Sequence, residues 1–223
     1  VKIISEHCSN TQRPFQLWAF PKLEIHMARP RQYDPETLRA AVVSAARGLL
    51  EEGGPPALTA RALVQASGAT SGTIYASFGD LHSVLIEVNR DTFRELGEMI
   101  DALPDAPPEP WLYALAEAYV DFMLERKGVW RGLFEGDRVT DVFPQWYMAA
   151  INALLAKIAH PIAALAPSEN AAERAEELFI SVHGVVALAA IGRLDMVSPR
   201  SPKALAHAAV STMLSALKDA SDA

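Results

Sequence analysis

Between residues 70 and 77 hydroxyl groups crowd together: Thr70, Ser71, Thr73, Tyr75 and Ser77. Hydroxyls can bond phosphate oxygens and base edges, but they bring no charge. Covalent chemistry has much less to work with. The sequence holds no Gly-x-Ser-x-Gly, no phosphate-binding Gly-Lys-Ser/Thr loop, no Gly-x-Gly-x-x-Gly and no Cys-x-x-Cys. None of its six His has a Glu three residues before it, so the di-iron bundle signature is absent. The one cysteine, Cys8, allows no internal disulfide and argues against a Cys-based zinc site. No catalytic residue, metal or cofactor is therefore expected, and the chain does not read as an enzyme.

The elements around the hydroxyls can be read from the neighbouring residues. Thr59 is a suitable N-cap, and Ala62, Leu63 and Ala66 recur at helical spacing. Ser67-Gly68 stops that short helix. Thr70 and Ser71 can cap a second one, through Thr73, Ile74 and Tyr75 to Phe78. Asp80 can cap a third, which starts at Leu81. Two short helices joined by a tight glycine turn make a helix-turn-helix, whose second helix lies in the DNA major groove. Ile74 and Phe78 read as core. Before the motif, Asp34-Pro35 starts a helix with an apolar stripe of Leu38, Ala41, Val42, Ala45, Ala46 and Leu49, ended by Gly53-Gly54-Pro55-Pro56. After it the pattern predicts helices at about 81–101, 110–127, 129–137, 144–165, 169–195 and 202–218. Ser168 and Ser201 are the expected caps of the last two, and Pro161 is expected to kink or end the helix that contains it. The fold class is all-α: a three-helix head fused to a larger helical body.

Leu58-Thr59 opening the first short helix, Ala66-x-Gly68 at the turn, Gly72-Thr73-Ile74-Tyr75 and Phe78 in the second, and Leu85 beyond resemble the DNA-binding domain of the TetR (tetracycline-repressor) family of regulators. The match covers residues 29–90 well and the remainder in helical layout. Phe179-Ile180-Ser181-Val182-His183-Gly184 is similar to the Trp/His-Gly motif of the family's WHG subclass, with Phe179 in place of Trp. The resemblance implies a double-stranded DNA operator, a small-molecule effector and a homodimer. It places DNA contacts at Thr59, Arg61, Thr70, Ser71, Gly72, Thr73, Tyr75 and Ser77. Relatives often carry a basic residue at the position of Ser71, a His or Tyr near Ala76-Ser77 and a Lys at Leu81; here all are neutral or apolar. A shallow salt dependence of DNA binding follows. For Tyr75, core packing with a polar tip at the surface is an equally available reading.

Charge is uneven along the chain. The net is −7 over 223 residues, but residues 1–90 carry nine Lys/Arg against eight Asp/Glu, and residues 91–223 eleven against nineteen. Only the N-terminal part can approach DNA without repulsion. Arg29 and Arg31 form a short basic arm, either a solvated tail or a strand along the phosphates. Residues 1–28 mix Trp, Phe and Pro without period and lack a signal-peptide pattern. They read as an extension, with Met27 as a natural start. The expected domains are thus 1–28 (extension), 29–80 (DNA-binding head) and 81–223 (effector-binding and dimerisation body). No run approaches the ~18–20 uninterrupted apolar residues of a membrane span, and a bacterial cytoplasmic location without membrane partners is expected.

In the body, Trp111, Tyr119, Phe122, Met123, Trp130, Phe134 and Trp146 on the middle helices, with Phe179 and His183 further on, are the candidate effector contacts. Taken singly, each reads as ordinary core; together they would make an apolar pocket with few ionisable groups. Small and large residues alternate on the last two helices. Gly184, Ala187, Leu188, Leu205, Ala208 and Met213 are the candidate dimer surface, forming a four-helix bundle with a second copy. The reading is a ligand-responsive regulator, a dimeric repressor released from a pseudo-palindromic operator by a small apolar or aromatic molecule. The alternative is a helical small-molecule or lipid-binding module that does not read DNA.

Overall fold

The computed structural model describes residues 34–135 and 143–221, and of Ser221 only the backbone. Arg29, Arg31 and the extension lie outside the described residues. Among those described there are nine α-helices and no strand, which is the all-α class expected. They are α1 (Pro35–Gly53), α2 (Ala60–Ser67), α3 (Ser71–Phe78), α4 (Leu81–Asp101), α5 (Pro108–Glu125), α6 (Lys127–Phe134), α7 (Gln145–Leu165), α8 (Ala171–Ala190) and α9 (Pro202–Ser221).

Local chemistry starts the first four. Asp34, Thr59, Thr70 and Asp80 each accept a bond from the backbone N–H three residues on, at Thr37, Ala62, Thr73 and Ser83. Each pairing satisfies one of the donors a helix start leaves orphaned. Gly68 sits at φ 68°, the left-handed region, and its N–H returns to the Val64 carbonyl to close α2. The turn between α2 and α3 is thereby fixed.

Two hydrophobic clusters share α4. One joins Val42, Ala46 and Leu50 of α1, Leu63 of α2 and Ile74 and Phe78 of α3 to Val84, Leu85 and Val88 of α4. The other takes Ile86, Phe93, Leu96 and Ile100 from α4 into a core with α5, α7, α8 and α9. α4 is thus a common wall. The core residue at the end of α1 is Leu50, and Ala41 is exposed. The rest of the expected stripe holds: Val42 and Ala46 are in the head core, Leu38, Ala45 and Leu49 pack against it, and Leu50 extends it. Gly128 brings α6 onto the end of α1: a Cβ there would lie 1.9 Å from the Leu50 carbonyl oxygen.

The largest differences from the expected boundaries are in α8. α8 starts at Ala171 on the cap Asn170 rather than at 169 on Ser168. Glu169, read as part of that helix, instead takes a salt bridge from Arg174 at 2.8 Å. α8 also stops at Ala190, short of 195, where Gly192 turns the chain at φ 66°. In α7 the helix runs through Pro161 to Leu165. α7 is also long and apolar enough to cross a membrane by length and composition, with a mean hydropathy of 1.5 over an 18-residue window.

Candidate reading helix and effector cavity

α3 turns one side inward and one outward. Ile74 and Phe78 are buried, as their spacing predicts. Ser71, Gly72, Tyr75 and Ala76 are exposed, with Tyr75 at 42 %. The predicted contact residues are thus not equivalent. Thr59 and Thr70 are caps, and the Thr70 hydroxyl also shares a 2.8 Å bond with that of Thr73. Ser77 is half-buried, and its backbone carbonyl accepts from Arg39. The Arg39 guanidinium stands 4.3 Å over the Phe78 ring, so this arginine holds α3 on α1. Arg61 is exposed at the start of α2.

The body encloses a cavity of about 430 Å³, walled by α4, α5, α6, α7 and α8. That size suits a small organic ligand. Of the nine predicted effector residues, Tyr119, Phe134 and Phe179 line it. The other six do not. Phe122 and Met123 are buried in the core, and Trp111 packs against that core from its edge. Trp146 carries the Arg90 guanidinium 3.8 Å above its ring. Trp130 and His183 stand behind the wall and hold Tyr119. Most of the lining is aliphatic: Ile86 and Leu96 of α4, and Ile151, Leu154, Leu155 and Ile158 of α7, are representative. The sequence does not single these out, because an apolar residue facing a void and one facing a neighbour look alike in it. The available signal was α7 itself, whose apolar positions are too many for one packed face.

Two polar arrangements meet this wall. Trp130 Nε1 donates to the Tyr119 hydroxyl at 3.1 Å, and that hydroxyl lies 3.0 Å from His183 Nδ1. The phenol oxygen accepts from Trp130, and its bond to Nδ1 runs in the direction that the His183 tautomer sets. Burial raises the Tyr119 pKa, against the Trp130 bond, and burial lowers that of His183. Both side chains stay neutral, inside rings of Trp130, Phe134 and Phe179.

The second arrangement ties three helices. Asn89 of α4 is 2 % exposed; its Nδ2 donates to the Gly132 carbonyl at 3.1 Å and to the Tyr147 hydroxyl at 3.2 Å. Tyr147 of α7 donates to the Leu133 carbonyl at 3.4 Å. Two carbonyls at the end of α6, orphans by helix geometry, are so satisfied from α4 and α7. Nδ2 must face Gly132, since a carbonyl only accepts, and this leaves Oδ1 buried without a partner. On the outer side of α4, Glu95 bridges Arg47 of α1 at 2.9 Å and Arg126, between α5 and α6, at 3.3 Å.

On the predicted dimer face, Gly184 is exposed and a Cβ there would meet nothing within 4 Å. It therefore serves no close packing inside the protomer. Ala187, Leu188, Leu205 and Ala208 are half-buried. Met213 is buried in the protomer's own core, turned away from that face.

Residues 42–88 match a family model described as bacterial regulatory proteins, tetR family, and residues 112–213 one described as tetracyclin repressor-like, C-terminal domain. The second description does not single out the WHG subclass. A search of curated proteins gives no match. Among solved structures, a protein of unknown function from Rhodococcus sp. RHA1 is 22 % identical, with 84 % of this chain and 98 % of that one covered at a TM-score of 0.65. A putative TetR-family transcriptional regulator from Mesorhizobium loti is 18 % identical, covering 82 % and 97 %, at 0.58. The fatty acid degradation regulator FadR from Bacillus halodurans is 15 % identical, covering 78 % and 97 %, at 0.53. At such identities the likeness is one of fold. With both ends of the chain matched by models of one family, and a helix-turn-helix ahead of a larger helical part, the chain belongs to the TetR family of bacterial regulatory proteins.

Proposed function

We propose that the chain is a ligand-responsive transcriptional repressor of the bacterial cytoplasm, working as a homodimer on a pseudo-palindromic operator. Residues 29–80 are the DNA-reading head and 81–223 the effector-binding and dimerisation body. The observation that carries this reading is the double use of α4. Val84, Leu85 and Val88 pack in the core of the head, while His82, Leu85, Ile86 and Asn89 of the same turns, with Phe93 and Leu96 beyond, wall the cavity. A molecule that fits the cavity best with α4 displaced would shift the head, and it acts only through its different affinity for the two states.

Among the described residues the cavity lining is almost wholly apolar, and its one carboxylate, Glu135, is paired with Arg131, which supports a largely apolar effector. Its wall is more aliphatic than aromatic, which favours a saturated or alicyclic body. Ser71, Gly72, Thr73 and Tyr75 face or border the DNA, with Thr59 and Arg61 at the flanking phosphates and Arg29 and Arg31 as a basic arm. The dimer surface is the side of α8 and α9 bearing Gly184, Ala187, Leu188, Leu205 and Ala208, and Ile180, 67 % exposed in the protomer, extends it.

One observation favours the alternative of a ligand-binding module without DNA reading. Residues 34–80 carry three Arg and five Asp/Glu, so the described part of the head is itself acidic. Fluorescence anisotropy of the chain on its own upstream intergenic DNA, with a scrambled duplex beside it and salt varied, separates the two. Specific binding near or below ~10⁻⁸ M is expected, with a shallow salt slope. Equal and weak binding to both duplexes would leave only the ligand-binding module.

A further inference from the structure

The outward side of α3 is made of Ser71, Gly72, Tyr75 and Ala76, at i, i+1, i+4 and i+5 of one helix face. A Cβ on Gly72 would meet nothing nearer than the Thr70 hydroxyl at 4.0 Å, so nothing bulky stands over the backbone there. None of the four side chains can make the two-bond contacts that identify a purine in the major groove. Guanine O6/N7 takes Arg or Lys, and adenine N6/N7 takes Asn or Gln. The arginine that reaches α3, Arg39, is held by the Ser77 carbonyl and the Phe78 ring. Arg61 and Gln65 are exposed on α2, the helix that crosses the backbone in such motifs.

What the face presents is the Ala76 methyl, the Tyr75 ring and the bare backbone at Gly72. The feature of the major groove that apolar groups recognise is the thymine C5 methyl. Ser71 and the Tyr75 hydroxyl remain for phosphates or a single acceptor. The small residues at 72 and 76 let the helix seat close enough for methyl contact.

We infer that α3 selects thymines, through the Ala76 methyl and the Tyr75 ring, and that no guanine is read beneath it. This rests on the DNA reading proposed above and specifies its base class: each half-site has a core of A·T pairs with their thymine methyls turned to α3. Ala76 is then a specificity-determining residue.

The test is selection of bound duplexes from a random library by the full chain, followed by single-atom changes in the selected site. Uracil in place of thymine beneath α3 removes only the methyl and is expected to weaken binding about fourfold per contact, the effect of burying one methyl. Replacing guanines of the site by 7-deazaguanine is expected to change nothing. Ala76→Gly should erase the uracil penalty at one position. Ala76→Ser, gentler on the helix, should shrink it and serves if the glycine variant melts early. Uracil tolerated without loss, or a loss on 7-deazaguanine substitution, overturns the inference and leaves DNA reading in place. Enrichment of no duplex at all overturns the DNA reading and this inference with it.

Discussion

In the head and at its junction with the body, α1 to α4 each begin on a side chain that caps its own first turn: Asp34, Thr59, Thr70 and Asp80. In the body α5, α6 and α7 begin on Pro107, Arg126 and Pro144, none of which supplies a side-chain cap, and only the last two helices are capped, by Asn170 and Ser201. The packing differs in the same sense. The head closes on Val42, Ala46, Leu50, Leu63 and Ile74, each no more than 2 % exposed, whereas the body opens a cavity of about 430 Å³. Capping acts within a few residues and holds a short helix to one geometry. Long helices held by tertiary packing can leave room and shift against one another. A part that must present a fixed surface and a part that must admit a guest call for these two solutions.

Four measurements would break or sharpen this contrast. The largest effect is expected where the two regions touch. Gly128→Ala forces a Cβ into the Leu50 carbonyl and should cost about 3 kcal/mol or more in urea unfolding. A cost well below 1 kcal/mol would mean α6 is free to slide on the head. Next, Leu155→Trp fills the cavity from α7. It should weaken effector binding at least ~10-fold and leave operator affinity of the ligand-free protein within about twofold. Operator affinity that falls in step with ligand affinity would end the separation of the regions.

A smaller effect is expected at the cap of α4. Asp80→Ala should lower stability by about 1 kcal/mol. The Ser83 backbone N–H, at 2.6 Å, holds the Asp80 carboxyl below its ordinary range. A depressed carboxyl stabilises the fold above its unfolded value, so this contribution is intact at neutral pH and fades as pH falls below 3.8. Acid titration of the melting temperature should show Asp80→Ala converging on the parent there. A constant gap would assign the loss to something other than the charged cap. The smallest effect is in the body. Burial lowers the His183 pKa, so the unfolded chain takes the proton first and stability drops as pH falls below the ordinary 6.5. His183→Gln should flatten that part of the melting profile. An unchanged profile would remove His183 from the account.

The caps of α2, α3 and α4 and the turn at Gly68 were legible in the sequence, because the groups that make them lie three or four positions apart. The same rule misjudged α8, where Ser168 and Asn170 are both competent caps and the Glu169–Arg174 pair lies across the choice. The effector cavity was read least well. Aromatic type marks Tyr119, Phe134 and Phe179, which line it, but also Trp130 and His183, which hold Tyr119 from behind. The aliphatic walls on α4 and α7 carry no distinguishing residue type, and Asn89, which knots α4 to α6 and α7, drew no notice as a single amide in an apolar helix.

Residue order alone was enough for the helical class, the helix-turn-helix and the division of α3 into a buried and an open side. Hydrophobic period, capping and glycine turns are short-range properties, written into neighbouring residues. Where apolar side chains meet a neighbour and where they meet a void came only with the folded chain. So did the pairing of Glu95 with both Arg47 and Arg126, the seating of Gly128 on Leu50 and the orphaned acceptor of Asn89. These depend on contacts between residues tens of positions apart, whose geometry is the joint outcome of every helix packing at once.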